Sequence, residues 1–308
     1  MAGGNIFATR AWQECWWRHF GDGSPVVVAD DEQSPKAIVA LQRTGRLLRR
    51  VRLVGHGYAD VLGVIAADHA DPGGVDLLRQ ALDGERWDVF VAHDVPVDNG
   101  WCDALGGSEL RRVASPLVRF QTDDWDEYLR GKSKNFREQL RRRARKLEAK
   151  HAVEYRLATS ETVASDLATL FDLHVRRWGD DAPFAAPESR RFHGDIGRIA
   201  LDRSWLRLWT LELDGKPAAS LLGYRFAGAD YFVQGGRDPD HESSSVGSLL
   251  LFQTVRSAVE DGMSEYRLLR GDESYKSQLA TDDRPVHSFA VANTSAGRAA
   301  IALARRRR

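Results

Sequence analysis

Cysteine is scarce in this sequence: Cys15 and Cys102 are the only two among 308 residues. The two can pair, but nothing requires it. The composition excludes a disulfide-stapled scaffold and fits a reducing compartment. Net charge is lacking too, because 44 Lys and Arg balance 44 Asp and Glu. A chain-wide nucleic-acid footprint is therefore not indicated, although local patches stay open. No apolar run reaches the length of a bilayer, so no transmembrane segment is expected. The opening MAGGNIFATRAWQECWWRHF lacks the ordered basic, apolar and cleavage regions of a secretory signal, and the expected location is cytoplasmic. Metal-ligand spacing is missing as well. His19, His56, His69 and His93 stand singly, and no metal is expected. Apolar residues make up 43% and charged residues 29%, ordinary values for a globular chain long enough for two domains or one large one.

What is present divides near residue 122, giving expected domains of 1–122 and 123–308. In the first, RAWQECWWRHF reads as a helix with Trp12, Trp16 and Phe20 at four-residue spacing on one face. SPVVVAD, KAIVALQRT and ERWDVFVAHDVP read as strands, and a helix is expected to open at Pro72. The second part starts with KSKNFREQLRRRARKLEAK, in which nine residues are basic and two acidic. Phe136, Leu140, Ala144 and Leu147 line one side of it, so an amphipathic helix with a positive outer face is expected. That face, carrying Arg141, Arg142, Arg143 and Arg145, is either simply solvated or a contact for RNA or an anionic surface. SETVASDLATLFDLHVRRW reads as a helix capped by Ser160. WLRLWTLELDG, KPAASLLGYRFAG and ADYFVQGGRD read as three strands of a mostly antiparallel sheet, turned at Asp214-Gly215 and Ala227-Gly228.

Two stretches could carry chemistry. YFVQGGRDPDHESSSVGSLLL runs strand, polar loop and small-residue helix start. Unpaired N–H groups at a helix start attract anions, so Ser244 to Ser248 are candidates to hold a phosphate or pyrophosphate, the plain alternative being a capped helix without a ligand. It is neither a P-loop nor a dinucleotide fingerprint. In YRLLRGDESYKSQL, Asp272 and Glu273 can orient or deprotonate a hydroxyl or amine, Tyr275 can protonate a leaving group, and Lys276 can stabilise negative charge. The alternative for Lys276 is an ion pair with Asp272 or Glu273 within one helical turn. If strands 230–235 and 265–270 run side by side, the helix between them is a crossover, and both stretches open onto one cleft.

The pieces NFREQLRRRARKLEAK, LFDLHVRRWG, FHGDIGRIA, WLRLWTLELDGKPAASLLGY, YFVQGGRDPDHESSSVGSLLL and LLRGDESYKSQL, in that order, resemble the CelD/BcsL-like acetyltransferases of the GNAT superfamily, relatives of the FemABX-like transferases. The resemblance covers roughly residues 125 to 290, and WQECWWRHFG with VGHGYADVL extends it more faintly across the chain. It implies an α/β fold with a mixed, mostly antiparallel sheet flanked by helices, in two tandem GNAT-like domains, the first degenerate. It also implies acyl transfer from acetyl-CoA or another acyl-CoA, with no metal, to a hydroxyl or amine of a small molecule, polysaccharide or cell-envelope precursor. Phe232, Val233, Gln234 and Gly235 would lie beside the acyl arm, and Ser244, Ser245, Val246, Gly247 and Ser248 near the pyrophosphate or pantetheine. The family's GxxxYK element falls on Gly271, Tyr275 and Lys276, with Asp272 or Glu273 as base or orienter and Lys276 as an electrostatic partner. His241 and Glu242 are added because their loop can reach the cleft. The loop ESSSVGS is poorer in glycine than the usual GNAT pyrophosphate loop. An aminoacyl-tRNA donor, or a non-catalytic scaffold on the same fold, stays open.

Overall fold

The computed structural model describes residues 4–31, 33–66, 73–179 and 182–306. His69 and the helix-opening Pro72 lie outside the described residues. The first elements are α1 (Arg10–Phe20), β1 (Val26–Ala29), β2 (Ala37–Thr44), β3 (Arg50–Leu53), β4 (Ile65–Ala66), α2 (Gly73–Asp83), β5 (Val89–Pro96), α3 (Trp101–Ala104) and β6 (Ser108–Val113). Then follow β7 (Pro116–Arg119), α4 (Trp125–Arg130), α5 (Lys134–Glu148), β8 (Val153–Leu157), α6 (Val163–Trp178), α7 (Pro187–Asp202), β9 (Leu206–Leu213), β10 (Lys216–Phe226) and β11 (Ala229–Arg237). The remainder is α8 (Val246–Glu260), β12 (Glu265–Arg267), α9 (Ser274–Leu279), β13 (Asp282–Asp283), β14 (Val286–Ala292) and α10 (Ser295–Arg306).

These elements form two compact units. One comprises Met1–Pro116, Arg270–Asp272 and Asp283–Arg308; the other comprises Leu117–Leu269 and Glu273–Asp282. The first unit is built on a sheet in the order β1-β2-β3-β5-β14-β6, with β4 on β2. Its pairings are antiparallel except β3 with β5. Trp12 and Trp16 of α1 are fully buried, as their spacing predicts, while Phe20 is only half-buried. Cys15 and Cys102 are both free and buried, so the pairing left open by the sequence is not made. Arg270 joins this unit through ion pairs to Asp60 and Asp94.

The second unit is a sheet in the order β13-β7-β12-β11-β10-β9-β8. β9, β10 and β11 form an antiparallel meander, and β11 and β12 run parallel. The two hairpin turns have positive φ at both central residues, Asp214 (52°) with Gly215 (77°) and Ala227 (50°) with Gly228 (79°). That conformation matches the twist of the strands they join. On β9, Leu206, Leu208 and Thr210 are buried on one face, while Leu211 and Leu213 enter the core against α8 on the other. Phe136, Leu140, Ala144 and Leu147 of α5 pack onto that same core, which is the stripe their spacing predicts. α6 packs on β10 and β11, with α7 beside it. The cap of α6 differs from expectation: Thr162 occupies the N-cap position, and the Ser160 hydroxyl donates to Glu161 instead. The chain is α/β, with mixed, mostly antiparallel sheets flanked by helices, as expected. Among the described residues, no helix is long and apolar enough to cross a membrane.

Candidate active site

The parallel pairing of β11 with β12 lasts only three residues, Ala229 to Tyr231 against Glu265 to Arg267. β12 then ends, whereas β11 continues to Arg237. From Phe232 onward β11 thus has no strand partner on that side among the described residues. One residue later the register with β10 slips: Leu222 faces Gln234 and Gly223 faces Phe232, which leaves Val233 as a bulge. The strand bends where it loses its neighbour, and a cavity of about 180 Å³ opens beside it. Gly236 sits tightly under α6: a Cβ there would lie 2.7 Å from the His174 backbone nitrogen and 2.9 Å from the Leu170 carbonyl. No residue but glycine lets the helix come so close.

The helix that crosses from β11 to β12 starts at the same cavity. A 3₁₀ turn over Pro239–Ser244 leads to Ser245, whose φ of 56° turns the chain into α8. The Ser245 side chain makes no capping bond, so the first amides of α8 are not occupied by it. Gly247 and Ser248 line the cavity with Phe232, Gln234 and Gly235. Opposite them stand Glu273 and Tyr275, from the GDESYK turn. The two stretches singled out in the sequence therefore share a cleft inside the second unit.

Not every expected residue reaches it. Val246 is fully buried in the core, and Val233 does not line the cavity. Ser244 and Ser245 line a different cavity, facing α5. The ring of His241 lies edge-on to His151, 5.8 Å away, and Glu242 pairs with Arg237. Asp272 is exposed and belongs to the first unit. Lys276 is not a solvated cation but a buried one, 3% exposed. Its ammonium bonds the Glu273 carboxylate at 3.0 Å and stands 5.9 Å above the Phe232 ring. This is the ion pair set out as the plain alternative, and it also fixes Glu273 at the cleft. Burial pushes the Tyr275 phenol far above its ordinary value, so it stays a proton donor at neutral pH. Its ring meets Phe232 edge to face at 6.4 Å.

Three further cleft residues lie within the quoted pieces but have no role assigned to them there. Arg177 and Trp178 come from the last turn of α6, the guanidinium stacked 4.4 Å from the indole, and Trp178 is 57% exposed at the rim. Burial lowers the pKa of Arg177 from its ordinary value. Arg237 ends β11 and touches the space beside Gly247. It supplies a basic residue ahead of the helix start, which the loop ESSSVGS itself lacks. VQGGR held that signal, since the arginine directly follows the two glycines. Among the described residues, no group of three or more His, Cys, Asp or Glu could hold a metal ion.

Residues 134–277 match the family described as acetyltransferase (GNAT) domain. Comparison with curated proteins gives no match. Among solved structures, FemX is similar at 11% identity, covering 97% of this chain and 94% of FemX with a TM-score of 0.67. L-PGS from Bacillus licheniformis is similar at 12% identity, covering 97% and 96%, with a TM-score of 0.60. A conserved protein of unknown function from Bacteroides thetaiotaomicron VPI-5482 is similar at 13% identity, covering 93% and 90%, also at 0.60. At such identities the structures speak for the fold alone. Residues 134–277 are thus similar to a GNAT acetyltransferase domain, and the solved structures share the fold of this chain.

Proposed function

We propose that the second unit transfers an acyl group, acetyl in the simplest case, from coenzyme A to a hydroxyl or amine. The observation that carries this reading is the single cleft shared by the unpaired stretch of β11, the start of α8, and the Glu273–Tyr275 pair. In this reading the thioester arm lies along Phe232, Gln234 and Gly235, where a strand without a neighbour offers free backbone groups. The amides of Gly247 and Ser248 face the pyrophosphate or pantetheine.

Glu273 takes the proton of the acceptor hydroxyl or amine as the lone pair attacks the thioester carbonyl. A tetrahedral oxyanion forms, the C–S bond breaks, and Tyr275 protonates the departing thiolate. Lys276 acts through Glu273, holding its carboxylate in place, and is a positioning residue. Asp272 and His241 are left outside these roles by their placement. We infer a glycan or cell-envelope precursor as acceptor, in line with the CelD/BcsL-like motifs and with the exposed indole of Trp178 at the rim, a ring face suited to a sugar. The two free thiols fit a cytoplasmic location.

A charged-tRNA donor is the rival reading, favoured by the arginine face of α5 with Arg141, Arg142, Arg143 and Arg145. A panel of acetyl-CoA, longer acyl-CoAs, free CoA and charged tRNA, followed by melting temperature and calorimetry, separates the two. The acyl-CoA reading expects a saturable upward shift with acetyl-CoA. A shift with charged tRNA alone overturns it, and no response to any donor favours a scaffold.

A further inference from the structure

The basic face of α5 is not uniform. Arg141 borders a cavity lined by Asp124, Asp126, Glu148 and Glu260, so acids surround that cation. Arg142, Arg143, Lys146 and Lys150 border another cavity of about 370 Å³, whose remaining polar lining is the three serines at 243–245. No acid lines it, and none of the four cations makes an ion pair among the described residues. A merely solvated helix face would not gather four uncompensated cations and three hydroxyls around one hollow. The loop is tied to the helix end by a second contact, the ring of His241 edge-on to His151 just beyond Lys150.

Position gives this cavity its meaning. Ser245 borders it, and Gly247, two residues on, borders the acyl cleft. A donor with its acyl group in the cleft and its chain over the start of α8 brings its far end to the serines. We propose that the cavity between α5 and the serine loop binds a phosphate monoester, the one at the nucleotide end of the acyl donor. The inference rests on the acyl-CoA reading and extends it. A monoester carries nearly two negative charges at neutral pH, and an arginine fork bonds two of its oxygens at once.

Calorimetry on the full chain tests this with acetyl-CoA and acetyl-3′-dephospho-CoA, which differ only in the monoester. The expected result is at least a tenfold preference for acetyl-CoA that weakens with added salt. The Arg142→Gln/Arg143→Gln variant loses the preference while binding the dephospho form as before, and Lys146→Gln/Lys150→Gln reduces it independently. Arg141→Gln, on the acid-lined side of the same helix, retains it. Melting curves of each variant confirm folding. Equal binding of the two forms, or a preference that survives both double variants, overturns the proposal alone. Binding of neither form overturns the donor reading and the proposal with it. A double variant that loses only affinity for tRNA or for phosphatidylglycerol vesicles assigns the face to a macromolecule and likewise overturns it.

Discussion

Ala227 holds the left-handed conformation at the β10–β11 turn, with φ of 50°, where its Cβ is crowded. Asn tolerates that region better, so Ala227→Asn is expected to stabilise the protein by about 1 kcal/mol, read from the denaturant midpoint at constant m-value. At the cleft, Glu273→Gln and Tyr275→Phe are each expected to lower kcat by about 100-fold or more with KM for the donor nearly unchanged. A loss confined to KM would remove the base and acid roles of this pair. Glu273, Tyr275, Gly247 and Ser248 were readable because their chemistry is written in side-chain type and in the strand–loop–helix pattern. The direction of Ser244 was not, because a left-handed residue at Ser245 sets which way the loop faces, and serine does not announce it. Arg177 and Trp178 were hidden in a helix whose apolar stripe explained it already. Asp214-Gly215, by contrast, is strong hairpin chemistry and sits where expected.

α6 and α7 hold a stack in which the Phe184 ring lies between His174 and His193, 4.8 Å from each. Burial lowers the pKa of His174 to about 4 and that of His193 to about 3, from 6.5. The unfolded chain therefore binds more protons below about pH 6.5, and stability is lost as the pH falls from there toward 4, being complete above it. Melting temperatures between pH 7.5 and 4.5 should show this slope, and His174→Gln/His193→Gln should flatten it. The contact of α6 with β11 is tighter still. Gly236→Ala forces backbone apart and is expected to destabilise the protein by about 1–3 kcal/mol, while weakening donor binding as the strand shifts. The alternation of β9 and the stripe of α5 were legible because a single period decides each. The glycine contact was not, since sequence gives no distance between a strand and a helix.

Each unit owns a sheet, and the sheets draw on the chain differently. The second is assembled almost wholly from one continuous stretch. The first takes β14 from the far end and places it between β5 and β6. VHSFAVAN reads as a strand, but nothing in it names its neighbours, so the sheet it joins could not be read. Without β14, β6 has no partner and β5 presents an open edge. A fragment of residues 1–116 is therefore expected to be largely unstructured by circular dichroism; a cooperative melt from that fragment would refute the dependence on β14.

Synthesis runs from the amino end, and proteins usually fold in that order. Here the first sheet cannot close until β14, ending at Ala292, has emerged from the ribosome, while the second unit between can already be complete. The nascent chain thus carries its earliest-made strands exposed the longest, and it is this half, not the one bearing the cleft, that most needs a chaperone.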